Sequence, residues 1–309
     1  YKRQVHDIGL EQVDRLSSEL ADALGATGFD VEILGFAGAV EAARSATPSI
    51  PLRTDADRDA VLRSTEDFIT RAERAFSGIF ATAPPSPVEV QRPRPGREGF
   101  AGAYYRPPPA IGQRPGTYYL SLAGDTFETQ TFATTNYHEA VPGHHFQLSL
   151  QRRSKDLPLI QRTTTFTGYA EGWALYAERL AHETGRYDDD PFGDVGRLRM
   201  ELLRAARAVA DTGIHARACS RTQAIDYLAD LGFPAAQAAA EVDRYIVWPG
   251  QAPAYLIGML EILRLRAWAE SALGVDLDLA TFHHEILRHG SVPVEILDEV
   301  VARYIDSAS

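Results

Sequence analysis

Residues 136–147 read NYHEAVPGHHFQ. Positions 138–145 hold His138, Glu139, His144 and His145, three of the nine histidines in the chain. In a helical His-Glu-x-x-His pattern the two imidazoles lie one turn apart and meet one metal, and the glutamate acts on the bound water. Here Pro142 stands where the second histidine belongs. The next histidines follow His138 by six and seven positions. On a straight helix six residues rise about 9 Å and turn off the first face, and seven rise about 10.5 Å. The donors around one tetrahedral zinc lie only a few ångströms apart. Pro142 removes a backbone donor, and Gly143 tolerates unusual torsions. An irregular turn at Pro142 and Gly143 is therefore expected, bringing a later histidine back toward His138. The density of imidazoles favours a metal site over surface histidines beside a turn.

A third protein ligand has to come from elsewhere. The stretch GYAEGWALYAERL, residues 168–180, places Glu171 and Glu178 two turns apart on one helical face. Glu171 sits between Ala170 and Gly172 on a helix that also carries Trp173, Leu175 and Tyr176. A carboxylate there is costly to bury unless it is paired or metal-bound, and its distance from the first motif, enough for a loop and a return helix, favours Glu171 as a ligand over a solvated face or an ion pair with an arginine. Glu178, beside Arg179, reads as a carboxylate on a solvated face or in an ion pair.

Around these stretches the chain reads as mainly α. Leu10, Val13, Leu16, Leu20 and Leu24 recur at steps of three and four, giving an amphipathic helix closed by Gly25 or Gly28. Similar periodicity follows at 58–80, 168–183, 194–215, 220–232, 235–248, 254–274 and 292–308. Prolines and glycines crowd residues 82–109, which read as a linker or surface loop with one brief extended segment. GTYYLSL, residues 116–122, is the best strand. The net charge of −11 argues against a nucleic-acid partner. No apolar run approaches the roughly 20 residues of a membrane span. Cys219 is the only cysteine, so an intrachain disulfide is excluded and the compartment is left open.

Five blocks in order carry a family resemblance: YHEAVPGHHFQ, AEGWALYAERL, ADTGIHARACSRTQAIDYL, WPGQAPAYLIGMLEILRLR and FHHEILRHGSVPVEIL. Together they resemble the bacterial domain-of-unknown-function family 885, along essentially the whole chain. The resemblance implies a zincin-like, mostly helical metallopeptidase domain with a small antiparallel β patch at the active-site edge. In architecture it is similar to the angiotensin-converting-enzyme and thimet-oligopeptidase group. Members are longer, so the chain, which begins at Tyr1, resembles the C-terminal catalytic portion. An N-terminal helical segment, 1–81, is expected to pack on a catalytic domain, 82–309, as one continuous unit.

By this resemblance one zinc per chain is bound by His138, His144 and Glu171, with His145 the alternative to His144. Glu139 is the general base. The strand at 118–122 is implied to be the edge strand that pairs with a substrate backbone. Tyr255 and His215 become transition-state donors or substrate contacts, against a reading as ordinary structural hydrogen-bonding groups. Cys219 departs from the family, which carries an aromatic there. The implied reaction is hydrolysis of a peptide or small amide: zinc lowers the pKa of a water, and Glu139 takes its proton and passes it to the leaving amine. Three rivals differ in class: a non-haem iron enzyme on the same two-His-one-carboxylate set, a non-catalytic metal-stabilised binding domain, and a purely structural helical domain. Glu139 separates the first two from a hydrolase, since neither needs a base there.

Overall fold

The computed structural model describes residues 2–94, 96–97 and 102–308 and is mainly helical, with 66% helix against 7% strand. Helices α1 (Lys2–Ala26), α2 (Val31–Leu34) and α3 (Phe36–Ala46) come first, then β1 (Ser49–Pro51) and α4 (Asp55–Ala75). Strands β2 (Val88–Gln91), β3 (Ala103–Arg106), β4 (Gly116–Leu120) and β5 (Thr126–Glu128) follow. Next are α5 (Phe132–Glu139), α6 (His144–Arg153), α7 (Leu159–Thr163) and α8 (Thr167–Glu183). The remainder is α9 (Pro191–Ala216), α10 (Arg221–Asp230), α11 (Ala235–Val247), α12 (Ala254–Leu273), α13 (Leu279–Arg288) and α14 (Leu297–Ala308). No helix among the described residues is long and apolar enough to cross a membrane.

The chain divides into two compact units, each made of three stretches. The first holds 1–49, 128–134 and 181–257, and the second holds 50–127, 135–180 and 258–309. The division expected at 81/82 is therefore not where the contacts divide. Residues 1–81 are shared, because α1 pairs with the distant α9 while α4 packs on β2.

In the first unit α1 lies along α9. Its buried face is His6, Gly9, Val13, Leu16, Leu20 and Leu24, an apolar stripe of helical period. Leu10, read as part of that stripe, is exposed. Gly9 takes its place because the helices nearly touch there: an added Cβ would lie 2.9 Å from Val209 Cγ2. The helix ends at Ala26, with Phe29 N donating to Leu24 O and Gly28 at positive φ, as a C-terminal glycine cap requires. Across the pair, His6 Nδ1 bonds to Thr212 Oγ1 at 2.8 Å. Helix α9 buries charges as pairs: Arg197 with Asp194 and Glu201, and Arg207 with both oxygens of Glu241.

In the second unit a three-stranded sheet has the order β2-β4-β3. The expected antiparallel pairing is present between β3 and β4, and β2 adds to the other side in parallel. β1 and β5 form a separate two-stranded sheet. The segment expected at a free edge is thus the central strand, with Tyr118 facing Val90 on one side and Tyr105 on the other. The proline-rich stretch read as a linker supplies both flanking strands, although its residues 95 and 98–101 lie outside the described residues. Two short apolar–polar alternations, VEVQ and AYYR, suffice to pair once β4 offers a partner on each side.

Helix α8 is the spine of this unit. Tyr169, Trp173 and Tyr176 on it are fully buried. Gly168 and Gly172 let it run against Gly258 of α12; a Cβ on Gly258 would fall on the Gly168 carbonyl oxygen. This close crossing fixes the height at which α8 presents the residue between Ala170 and Gly172.

Candidate metal centre

The site is assembled inside the second unit from α5, α6 and α8. α5 stops at Glu139 and α6 starts at His144, so the motif is two helices joined by four residues, including a cis Val141–Pro142 peptide. The break expected at Pro142 and Gly143 is where the structure places it. Gly143 serves the turn by its lack of a side chain: a Cβ would fall on the carbonyl oxygens of Tyr137 and His138. Phe146 N reaches back across the break to Ala140 O at 3.2 Å. Trp173 Nε1 donates to Pro142 O at 2.8 Å and ties the turn to α8.

This folding-back brings His138 and His144 together, with ring centroids 4.7 Å apart and planes at 83°. Glu171 approaches both: its Oε2 lies 3.5 Å from His138 Nε2 and 3.2 Å from His144 Nε2. One donor atom from each of the three residues falls within 4.8 Å of the others. Glu171 Oε2 is nonetheless a buried atom without a hydrogen-bond partner. The three side chains thus form one group that could hold a metal ion. His138 and His144 are nearly buried, and the Glu171 side chain is 20% exposed.

Of the two readings of Glu178, a solvated face or an ion pair, the structure gives the paired one, with a histidine as a partner. Glu178 is buried, not on a solvated face, and its Oε1 accepts from His138 Nδ1 at 2.7 Å. With Nδ1 engaged by Glu178, Nε2 is the ring nitrogen turned to the cluster, the orientation that a carboxylate behind a histidine fixes. The seven-residue spacing of Glu171 and Glu178, two turns on one helical face, carries the signal in the sequence.

The electrostatics follow from the same contacts. Burial pulls His138 down, but Glu171 and Glu178 outweigh it and push it up to about 10. Burial pushes the Glu171 carboxyl up, yet His144 and His138 hold it well below the usual carboxylate range. Glu139 makes a third carboxylate, and its Oε2 is buried without a hydrogen-bond partner. Burial, with the Glu139 charge adding, raises the Tyr118 phenol well above its usual value, which places Glu139 toward β4. Three carboxylates against two imidazoles leave negative charge uncompensated, so the donor set fits a divalent cation such as zinc.

His145 stands apart from this cluster. Fully buried, it bonds through Nδ1 to the Tyr105 hydroxyl at 2.8 Å, and burial lowers its pKa to about 4, leaving it neutral. Of the two alternatives at the second position, the geometry brings His144 to His138 and Glu171. His215 and Tyr255 belong to the first unit. There His215 Nε2 bonds to Tyr245 O at 3.0 Å, and the Tyr255 ring lies under the guanidinium groups of Arg204 and Arg207.

Residues 2–301 match the family described as "Bacterial protein of unknown function (DUF885)". The chain belongs to this DUF885 family. Two solved structures share its fold. "The crystal structure of the putative lipoprotein from Colwellia psychrerythraea" has a TM-score of 0.93 at 36% identity, covering 99% of this chain and 53% of that one. "The structure of a putative lipoprotein of unknown function from Shewanella oneidensis" has a TM-score of 0.70 at 20% identity, covering 98% and 56%. The second likeness concerns the fold alone. The DUF885 chain spans about half the length of these structures. Among curated proteins nothing matches it.

Proposed function

We propose that this DUF885 chain binds one zinc ion through His138, His144 and Glu171 and hydrolyses peptide or amide bonds in the manner of a zincin. The observation that carries this reading is the convergence of His138 Nε2, His144 Nε2 and Glu171 Oε2, with the unpartnered carboxylate of Glu139 next to the first ligand. A zinc ion bound by two imidazoles and one carboxylate supplies Lewis-acid chemistry, lowering the pKa of a water and polarising a carbonyl.

The chain's own residues provide the rest. Glu178 holds the His138 ring in one orientation. Gly143 and the Trp173 indole keep the turn that seats His144. Glu139 lies at the end of α5, one residue past His138, so it points about 100° away from that ligand. Its Oε2 has no competing donor and is free to take a proton from an attacking water and return it to the departing amine.

Glu139→Gln tests the assignment. The amide keeps the shape and removes the base. Zinc content and thermal stability should match wild type, while cleavage in a peptide-library digest read by mass spectrometry drops about 10²–10⁴-fold, the usual contribution of a positioned acid–base group. Near-normal cleavage by the variant excludes Glu139 as the base, and loss of zinc makes it a ligand.

A further inference from the structure

The loop between β3 and β4 is wrapped by arginines, all in the second unit. Arg114 donates to Pro107 O and to Thr117 Oγ1. Arg153 donates to Gly112 O and Arg114 O. Arg162 donates to Ala110 O and to the backbone oxygen of Arg152. The guanidinium groups of Arg114 and Arg153 are thus held by neutral backbone oxygens and a hydroxyl, and together with Arg152 they lie close enough to the Tyr105 phenol to act on its ionisation. Among the described residues no carboxylate pairs with Arg114, Arg152, Arg153 or Arg162, in a chain that carries 42 acidic residues.

Arg152 is the unusual member. Among the described residues its side chain has no hydrogen-bond or ion-pair partner, and its Nε is buried. Burial lowers its pKa, with only the Tyr105 phenol acting the other way. A part-buried cation without a counter-charge is unfavourable unless an anion accompanies it. Guanidinium groups are suited to that anion because their fork of N–H groups matches the two oxygens of a carboxylate.

Helix α6 relates this cluster to the candidate metal centre. It begins at His144, and Arg152 follows eight residues later, about 12 Å along the axis. Arg152 shares a helical face with His145, whose Nδ1 is bonded to the same Tyr105 hydroxyl. An extended peptide advances about 3.3–3.6 Å per residue, so 12 Å is three to four residues.

We propose that Arg152 receives a carboxylate of a peptide, so that the enzyme takes short acidic peptides whose anionic group lies three or four residues from the bond to be cleaved. The word substrate in this account rests on the metallopeptidase reading; the anion site itself does not.

The test is calorimetric binding to the full chain carrying Glu139→Gln, zinc-loaded and metal-free in parallel. The probes are a short peptide ending in a free carboxylate, the same peptide as its C-terminal amide, and inorganic phosphate. The acid should bind about 10-fold or more tightly than the amide, as a charge-assisted hydrogen bond warrants. In the added presence of Arg152→Gln that preference should vanish, with thermal stability not lowered, since among the described residues the Arg152 side chain makes no hydrogen bond or ion pair that the substitution would break. Any result without an Arg152-dependent acid preference overturns the proposal, including Arg152-dependent binding of phosphate alone. Wild-type cleavage of both peptides is measured separately. An Arg152-dependent preference without cleavage sustains the anion site and removes the hydrolase reading; cleavage without the preference does the reverse.

Discussion

Replacing Gly143 by Ala tests whether the break between α5 and α6 sets the ligand geometry. The added Cβ would lie 2.6 Å from the His138 carbonyl carbon, and nearer still to the carbonyl oxygens of Tyr137 and His138. Comfortable carbon–carbon separations are about 3.5–4.0 Å, so the turn must open by about 1 Å. The cost read here is steric. Overpacking costs about 1–3 kcal/mol, and here both colliding partners are backbone, so the upper end of that range applies. The same 1 Å separates His144 from His138, whereas metal–ligand distances hold to about 0.2 Å. Zinc affinity should therefore fall by at least the ~10–100-fold typical of losing an outer partner. Urea unfolding of metal-free protein gives the first number, and competition with a chromophoric chelator gives the second. A Gly143→Ala protein with wild-type stability and wild-type zinc affinity refutes the reasoning.

Two further outcomes are expected. Glu178→Ala should weaken zinc binding about 10–100-fold in the same competition assay, with Glu178→Gln recovering most of the loss because its side-chain oxygen still accepts from His138 Nδ1; equal affinity in all three proteins would show that Glu178 does not orient the ring. In the first unit, burial pushes the Glu241 carboxyl up but Arg207 outweighs it and holds it low, so the pair stabilises above the unfolded pKa of about 4.3 and loses that contribution as pH falls through the folded value. Glu241→Gln should then cost about 3–5 kcal/mol in urea unfolding at pH 7, with the gap closing below about pH 4; a gap independent of pH contradicts the assignment.

Much of the site was legible because it depends on local chemistry. Pro142 and Gly143 announce a helix break through backbone geometry alone, and a carboxylate between Ala170 and Gly172 stands out through the cost of burying it. What stayed hidden depends on partners remote in sequence. Whether His144 or His145 faces the cluster is decided by Tyr105, which takes His145 from β3. Glu178 beside Arg179 reads as solvated or ion-paired, and its histidine partner shows only once α5 is laid against α8. Leu10 fits the helical period as well as Gly9 does not, yet the close approach of α9 at Val209 selects the glycine. The 82–109 stretch lacks long alternation, so its two short strands become visible only once β4 pairs with each. Helices α3 and α13 went unread, and the division of the chain follows α1–α9 pairing across some 200 positions, which no local pattern encodes.

The central claim is that His138, His144 and Glu171 hold one zinc ion. Elemental analysis of protein purified without added metal, in wild type, His144→Ala and His145→Gln, tests it most directly. The account predicts one zinc per chain in wild type and in His145→Gln, and none in His144→Ala. Zinc retained without His144, zinc lost with His145 alone, or iron in place of zinc contradicts it.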